Sequence, residues 1–155
     1  MRRGLERCLT RLWRYALLLS KAPDVAEDLV QATCVRAIER ADQYTPGTRL
    51  DRWLFAILKS IWLNEQRARR VRGRETSIDP ENALINGAKE LETNIRAAEV
   101  LTAIGRLPEP QRETVLLVYG EGYSYAEAAN LLGIPIGTVM SRLATARSAL
   151  ARLLE

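Results

Sequence analysis

The chain has 155 residues, room for one ordinary domain or two small ones; 47% are hydrophobic, and no apolar run approaches the roughly 20 residues of a membrane span. It contains no histidine and only two cysteines, Cys8 and Cys34, which removes histidine-based catalysis and the usual Cys/His zinc site from consideration. The net charge of +4 is unevenly spread: residues 1–74 carry 16 Lys/Arg against 8 Asp/Glu, residues 75–155 carry 7 against 11. No nucleophile–base grouping and no glycine-rich phosphate loop is visible, so neither an enzyme nor a cofactor nor a bound metal is expected.

The opening segment, MRRGLERCLTRLWRYALLLS, sets arginines ahead of leucines as a secretory signal does. The arginines persist to Arg14, however, the apolar run after them is short, and no small-residue cleavage site follows. It reads as an amphipathic helix from about Leu5 to Ser20 in a cytoplasmic protein, with Leu5, Leu9, Leu12, Trp13, Ala16, Leu17 and Leu19 turned inward and Arg7, Arg11 and Arg14 outward. Lys21-Ala22-Pro23 breaks it. A second helix, about Pro23 to Ala41, opens on proline and carries Asp24, Glu27 and Asp28 in its first turns, where acids complement the helix dipole. Ala26, Leu29, Val30, Thr33, Ala37 and Ile38 form its buried stripe. Each cysteine falls within a helical pattern and reads as a small buried hydrophobe.

After the loop Asp42–Gly47, Thr48 reads as the cap of a third helix, with Asp51 three residues on completing a loose capping box. Leu50, Trp53, Leu54, Ile57, Leu58 and Ile61 share one arc of this helix. Phe55, Trp62 and Leu63 fall outside it, so the helix either packs against two neighbours or offers aromatics to a partner. It closes on Arg67, Arg69, Arg70, Arg72 and Arg74, five arginines in eight residues. A basic helix end also complements the dipole, but this density exceeds that need and suits phosphates, with Trp62 a candidate stacking platform.

From Glu75 to about Glu90 the periodicity lapses into a linker. Leu91, Ile95, Ala98, Leu101 and Ile104 begin a new helix, Leu107-Pro108-Glu109-Pro110 turns it, and Val115, Leu116, Val118 and Tyr119 form another. The stretch Gly122–Leu154 then reads as a helix-turn-helix. Ser124 and Glu127 form a capping box, Gly133 suits a left-handed stop, and Pro135 opens the next helix. Val139, Leu143, Ala146, Leu150 and Leu153 make one buried stripe. The opposite side carries Gly137, Thr138, Ser141 and Thr145, flanked by Arg142 and Arg147. Short hydroxyl side chains with flanking arginines suit a helix lying in a major groove, although the same helix could be a solvated member of a bundle.

AEDLVQATCVRA, TRLDRWLFAILKSIWLNEQRARR and LPEPQRETVLLVYGEGYSYAEAANLLGIPIGTVMSRL, in this order and spacing, resemble the extracytoplasmic-function sigma factors, a group of bacterial transcription initiation factors. The resemblance implies an all-α fold of two small helical domains: residues 1–74 for core polymerase and the −10 element, a flexible linker over 75–90, and residues 91–155 with the helix-turn-helix for the −35 element. Asp24, Glu27, Asp28, Leu29, Gln31 and Arg36 would dock on the clamp helices of the polymerase β′ subunit. Tyr44, Thr45 and Thr48 would take an unstacked base of the −10 non-template strand, with Lys59, Trp62, Asn64, Arg67, Arg69 and Arg70 holding the strand nearby. Gly137, Thr138, Ser141, Arg142, Thr145 and Arg147 would read the −35 element. The β flap would hold the second domain over DNA, which explains how an acidic half can bind DNA at all. An anti-sigma factor is an implied partner. The chain departs from the family's usual residues at Ala32, Cys34, Lys59-Ser60, Met140 and Ala144-Thr145. Those departures leave a second reading open, a decoy that sequesters an anti-sigma factor without initiating transcription.

Overall fold

The computed structural model describes residues 2–73 and 95–155. The chain divides into two compact units, Met1–Ile78 and Asp79–Glu155, and all described regular structure is helical. The linker expected over 75–90, and Leu91 with it, lies outside the described residues.

In the first unit α1 (Arg2–Ser20) ends where Lys21 turns left-handed at φ 59° and returns its N–H to the Leu17 carbonyl at 2.8 Å. Pro23 then starts α2 (Pro23–Glu39), as its fixed φ favours. A single 3-10 turn (Ala41–Gln43) leads through a loop to α3 (Leu50–Arg72), which stops at Gly73 with φ 69°. The three helices pack pairwise into a bundle. Leu12, Tyr15 and Ala16 of α1, Ala26, Leu29 and Ala37 of α2, and Leu54, Phe55 and Leu58 of α3 are almost wholly buried. Each large apolar side chain so buried contributes about 1.5–3 kcal/mol. The Tyr15 and Phe55 rings meet at 5.0 Å, tilted by 51°. Thr33, also in the core, donates its hydroxyl hydrogen bond to the Leu29 carbonyl at 2.7 Å and so leaves no unmet donor.

Four expectations for this unit are corrected. Ile38 is 56% exposed, because Ala37, one residue and about 100° earlier, takes the inward position. Leu9 is exposed for the same reason beside the buried Cys8. Arg11 does not simply face outward but reaches the buried Asp51. Thr48 does not cap α3: the cap position is Arg49, and Thr48 Oγ1 donates to the Thr45 carbonyl instead.

In the second unit α4 (Ile95–Gly105), α5 (Glu109–Val115), α6 (Tyr125–Leu132) and α7 (Ile136–Leu153) gather around α7, which packs against the other three. Ala103, Leu107, Val115, Leu117, Ala128, Val139, Leu143 and Ala146 form the core. Pro108 caps α5, so that helix begins earlier than the sequence pattern suggests and runs into a π turn at Leu116–Gly120 rather than forming a separate helix there. The wider turn returns the Glu121 N–H to the Leu116 carbonyl at 2.8 Å. Arg112 of α5 is buried, and its Nη1 donates to the carbonyls of Gly105 and Leu107 where α4 ends. Burial lowers the Arg112 pKa while the charges of Glu109 and Glu113 oppose that shift. A cation is favoured at a helix C-terminus, which accounts for an arginine in this core.

Candidate nucleic-acid interface

The loop between α2 and α3 is closed by its own hydrogen bonds. Tyr44 donates its hydroxyl hydrogen to the Thr48 carbonyl at 2.6 Å, and Thr48 donates to Thr45 at 2.7 Å. Gly47 supplies the left-handed corner at φ 89°. The Tyr44 ring leans on Trp53 of α3 at 5.2 Å. Thr45 and Thr48 are exposed and Tyr44 half-buried, so the loop is ordered yet open to a ligand. Where the loop enters α3, Asp51 accepts from Arg49 at 3.1 and 2.7 Å and from Arg11 at 2.9 Å.

Along α3, Lys59, Arg67 and Arg70 lie within an arc of about 80°, with Asn64 beyond it. Asn64, Arg67 and Arg70 are exposed, and Lys59 and Arg69 are half-buried. Trp62 is 4% exposed and has no open face for a base, so its role is packing rather than the stacking anticipated from its place before the arginines. On α2, Asp24, Glu27, Asp28 and Gln31 are exposed and share an arc of about 100° with Val35 and Ile38. Leu29 is 1% exposed and faces the bundle, so it holds α2 in place and cannot itself meet a partner. Arg36 is half-buried on the flank. Val35 and Ile38, 55% and 56% exposed, add an apolar pair; the periodicity of this helix puts Val35 on the outer side, as found, but places Ile38 inward. Cys34 is half-buried beside them, and burial pushes its thiol pKa up, away from a reactive thiolate.

In the second unit the helix-turn-helix is α6, a turn and α7. Ser124 Oγ accepts from the Glu127 N–H at 3.0 Å and Glu127 accepts from the Ser124 N–H at 2.9 Å. Gly133 stops α6 at φ 66°, and the Ile134 N–H returns to the Ala129 carbonyl at 3.1 Å. Val139, Leu143 and Ala146 bury one face of α7, but the stripe expected to continue through Leu150 and Leu153 does not: Leu150 is half-buried and Leu153 is 40% exposed near the end of the helix. Gly137, Ser141 and Thr145 are exposed, and Thr138 and Arg142 are half-buried at the edge. The space over Gly137 is open, which permits close approach of a ligand to the start of the helix. Thr145 donates to the Ser141 carbonyl, leaving its oxygen lone pairs as acceptors. Arg147 is exposed, and its Nη1 donates to the Tyr119 hydroxyl at 2.8 Å; this bond and a second to Tyr125 raise its pKa further. No periodicity in the sequence announces that contact between α7 and the π turn.

Two family models match the chain, Sigma-70 region 2 over residues 5–72 and Sigma-70 region 4 over residues 97–150. The ECF RNA polymerase sigma factor EcfG of Rhodopseudomonas palustris is 38% identical over 146 residues, 90% of this chain and 77% of that protein. The chain belongs to the extracytoplasmic-function sigma factors. A second member, SigC of Mycobacterium tuberculosis, is 37% identical over 139 residues, 90% of this sigma factor and 75% of SigC. Among solved structures, the sigma factor RpoE of Bartonella quintana, crystallised with the anti-sigma factor NepR, aligns at a TM-score of 0.77 with 29% identity, covering 99% of this chain and 95% of RpoE. CnrH, solved with the cytosolic domain of CnrY, aligns at 0.62 with 28% identity, covering 99% of this chain and 89% of CnrH. Sigma factors regulate transcription. No described helix of this one is long and apolar enough to cross a membrane.

Proposed function

We propose that this sigma factor carries out no chemistry of its own, acts in the cytoplasm, and confers promoter choice on core RNA polymerase through three surfaces. The acidic and apolar face of α2 (Asp24, Glu27, Asp28, Gln31, Val35 and Ile38) docks on the β′ clamp helices, with Arg36 at its edge. An exposed apolar pair among acids is a surface made for a partner. The loop Tyr44–Thr48 receives an unstacked base of the −10 non-template strand. Taking a base out of the stack costs a few kcal/mol, and a site that binds it makes strand opening both favourable and sequence-selective. Lys59, Asn64, Arg67, Arg69 and Arg70 follow the strand's phosphates. Gly137, Thr138, Ser141, Arg142 and Thr145 of α7 read the −35 element, with Arg147 at the far end of the same helix, while the β flap carries this unit. RpoE of Bartonella quintana was solved with an anti-sigma factor, and we extend that mode of control to this chain.

The observation that carries the reading is that each of the two sigma-family segments places its ligand-type side chains on an open face of a well-packed unit. Run-off transcription with purified core enzyme tests it. The expected result is initiation at discrete sites that core polymerase alone does not use. No start above the core-only background rules the reading out, and a chain that also fails to retain core polymerase in a pull-down supports a decoy instead.

A further inference from the structure

Among the described residues of the first unit, Asp51 is the one buried carboxylate, 7% exposed. An acid in the first turn of a helix is favoured by the dipole without being buried, so the dipole alone does not explain its position. Its surroundings do. Arg49 grips it with two hydrogen bonds from the end of the loop, at 3.1 and 2.7 Å, and Arg11 reaches it from α1, forty residues away in sequence, at 2.9 Å. Its Oδ1 also accepts from the Arg52 N–H at 3.0 Å. Arg11 in turn lies over the Phe55 ring at 5.7 Å. Two turns earlier on α1, Gly4 leaves room for the neighbouring Leu50: a Cβ there would come within 2.5 Å of its Cδ2. The loop exit is therefore held to α1 by an ion triad and by a close apolar approach. From Arg49 the chain passes directly into Thr48, Thr45 and Tyr44 with their internal hydrogen bonds.

We propose that Asp51 is the positioning residue of the −10 loop: by tying Arg49 to Arg11 it holds Tyr44–Thr48 in its base-receiving shape before DNA arrives. The inference rests on the reading of that loop as the base-binding element. A loop already ordered loses less entropy on binding, so the triad acts through pre-organisation rather than through contact with DNA.

The test uses the full chain with core polymerase on a promoter mapped by run-off transcription, with 2-aminopurine replacing adenines of the −10 non-template strand. Its fluorescence rises when the base leaves the stack. Asp51→Asn, Arg11→Gln and Arg49→Gln are each expected to weaken base capture about tenfold while leaving core affinity unchanged. The sign for Asp51→Asn is diagnostic. That change removes a negative charge near the strand, so simple electrostatics gives tighter DNA binding where pre-organisation gives weaker capture. Asp51→Ser removes the same negative charge and repeats the signed test should Asp51→Asn fail to fold, whereas Arg11→Gln, which removes a cation, separates the two effects only through an unchanged salt slope. The inference is overturned if the variants capture the base within twofold of the unmodified chain, or if core affinity falls in parallel. It is also overturned if Arg49→Gln lowers the slope of log affinity against log salt by about one, the mark of a direct phosphate contact. An unmodified chain that initiates yet shows no fluorescence change overturns the base-binding reading itself, and the inference with it.

Discussion

At Asp51 two opposing effects meet in one side chain. Burial alone would raise the carboxyl pKa, but hydrogen bonds from Arg49 and Arg11 and their charges outweigh it and hold the group well below the usual carboxylate range. A folded-state pKa below the unfolded value of about 4 gives stability that is complete above that value and disappears as pH falls through the folded one. Thermal melts of the unmodified chain and of Asp51→Asn should therefore differ by a constant margin from neutral pH down to about pH 5. The margin should close only in strong acid; a gap that instead opens below pH 5 contradicts the assignment. None of this was legible in the sequence. Asp51 and Arg11 each satisfy a local rule, as a helix-start acid and as an outward arginine, and only the packing of α1 on α3 makes them partners. Leu29 and Trp62 show the same limit in reverse. The family resemblance gave Leu29 a docking role although its own periodicity placed it inward, the arginines beyond Trp62 suggested a stacking platform, and the bundle's geometry buries both.

The helix-turn-helix is the element where local chemistry decides most, and its cap and its stop are legible in the sequence while the far end of the α7 stripe is not. Ser124, Glu127 and Gly133 act within a turn or two of themselves, so their hydrogen bonds and left-handed φ follow from spacing alone. Removing the cap with Ser124→Ala is expected to cost about 1 kcal/mol. Gly133→Ala meets open space at its Cβ, so its cost arises from φ 66° alone and is also about 1 kcal/mol. Amide hydrogen exchange in α6 reads such local opening directly, and each variant should exchange about fivefold faster there while α1–α3 are unaffected. Unchanged protection in Ser124→Ala removes the capping box from the account of this helix. The π turn at Leu116–Gly120 was not legible because its wider hydrogen bond, from the Glu121 N–H to the Leu116 carbonyl, leaves no mark in the apolar periodicity of Val115, Leu116, Val118 and Tyr119. The contact from Arg147 to Tyr119 spans 28 residues and was invisible because it is a tertiary fact.

Across the whole molecule the uneven charge sets how the two halves divide the work. Residues 1–74 carry twice as many basic as acidic side chains, whereas residues 75–155 are net acidic. Affinity for duplex DNA comes largely from cations that displace counterions from phosphate, so the half bearing the recognition helix has little field with which to find its site. On the proposed reading the same helix, carried by polymerase, meets promoter DNA at an effective concentration set by its tether, of about millimolar order for short connections, and a weak contact then suffices to discriminate. At about 150 mM salt, where surface charges are screened beyond about 8 Å, the full chain alone should bind a −35 duplex no better than an unrelated one. With core polymerase added, a preference for the −35 sequence should appear, and Arg142→Ala should reduce it by about tenfold while leaving affinity for core unchanged. Filter binding or electrophoretic mobility with both duplexes measures this. Tight, sequence-selective binding by the chain alone at that salt would mean that α7 has affinity enough without a carrier, and the charge asymmetry would then need a different explanation.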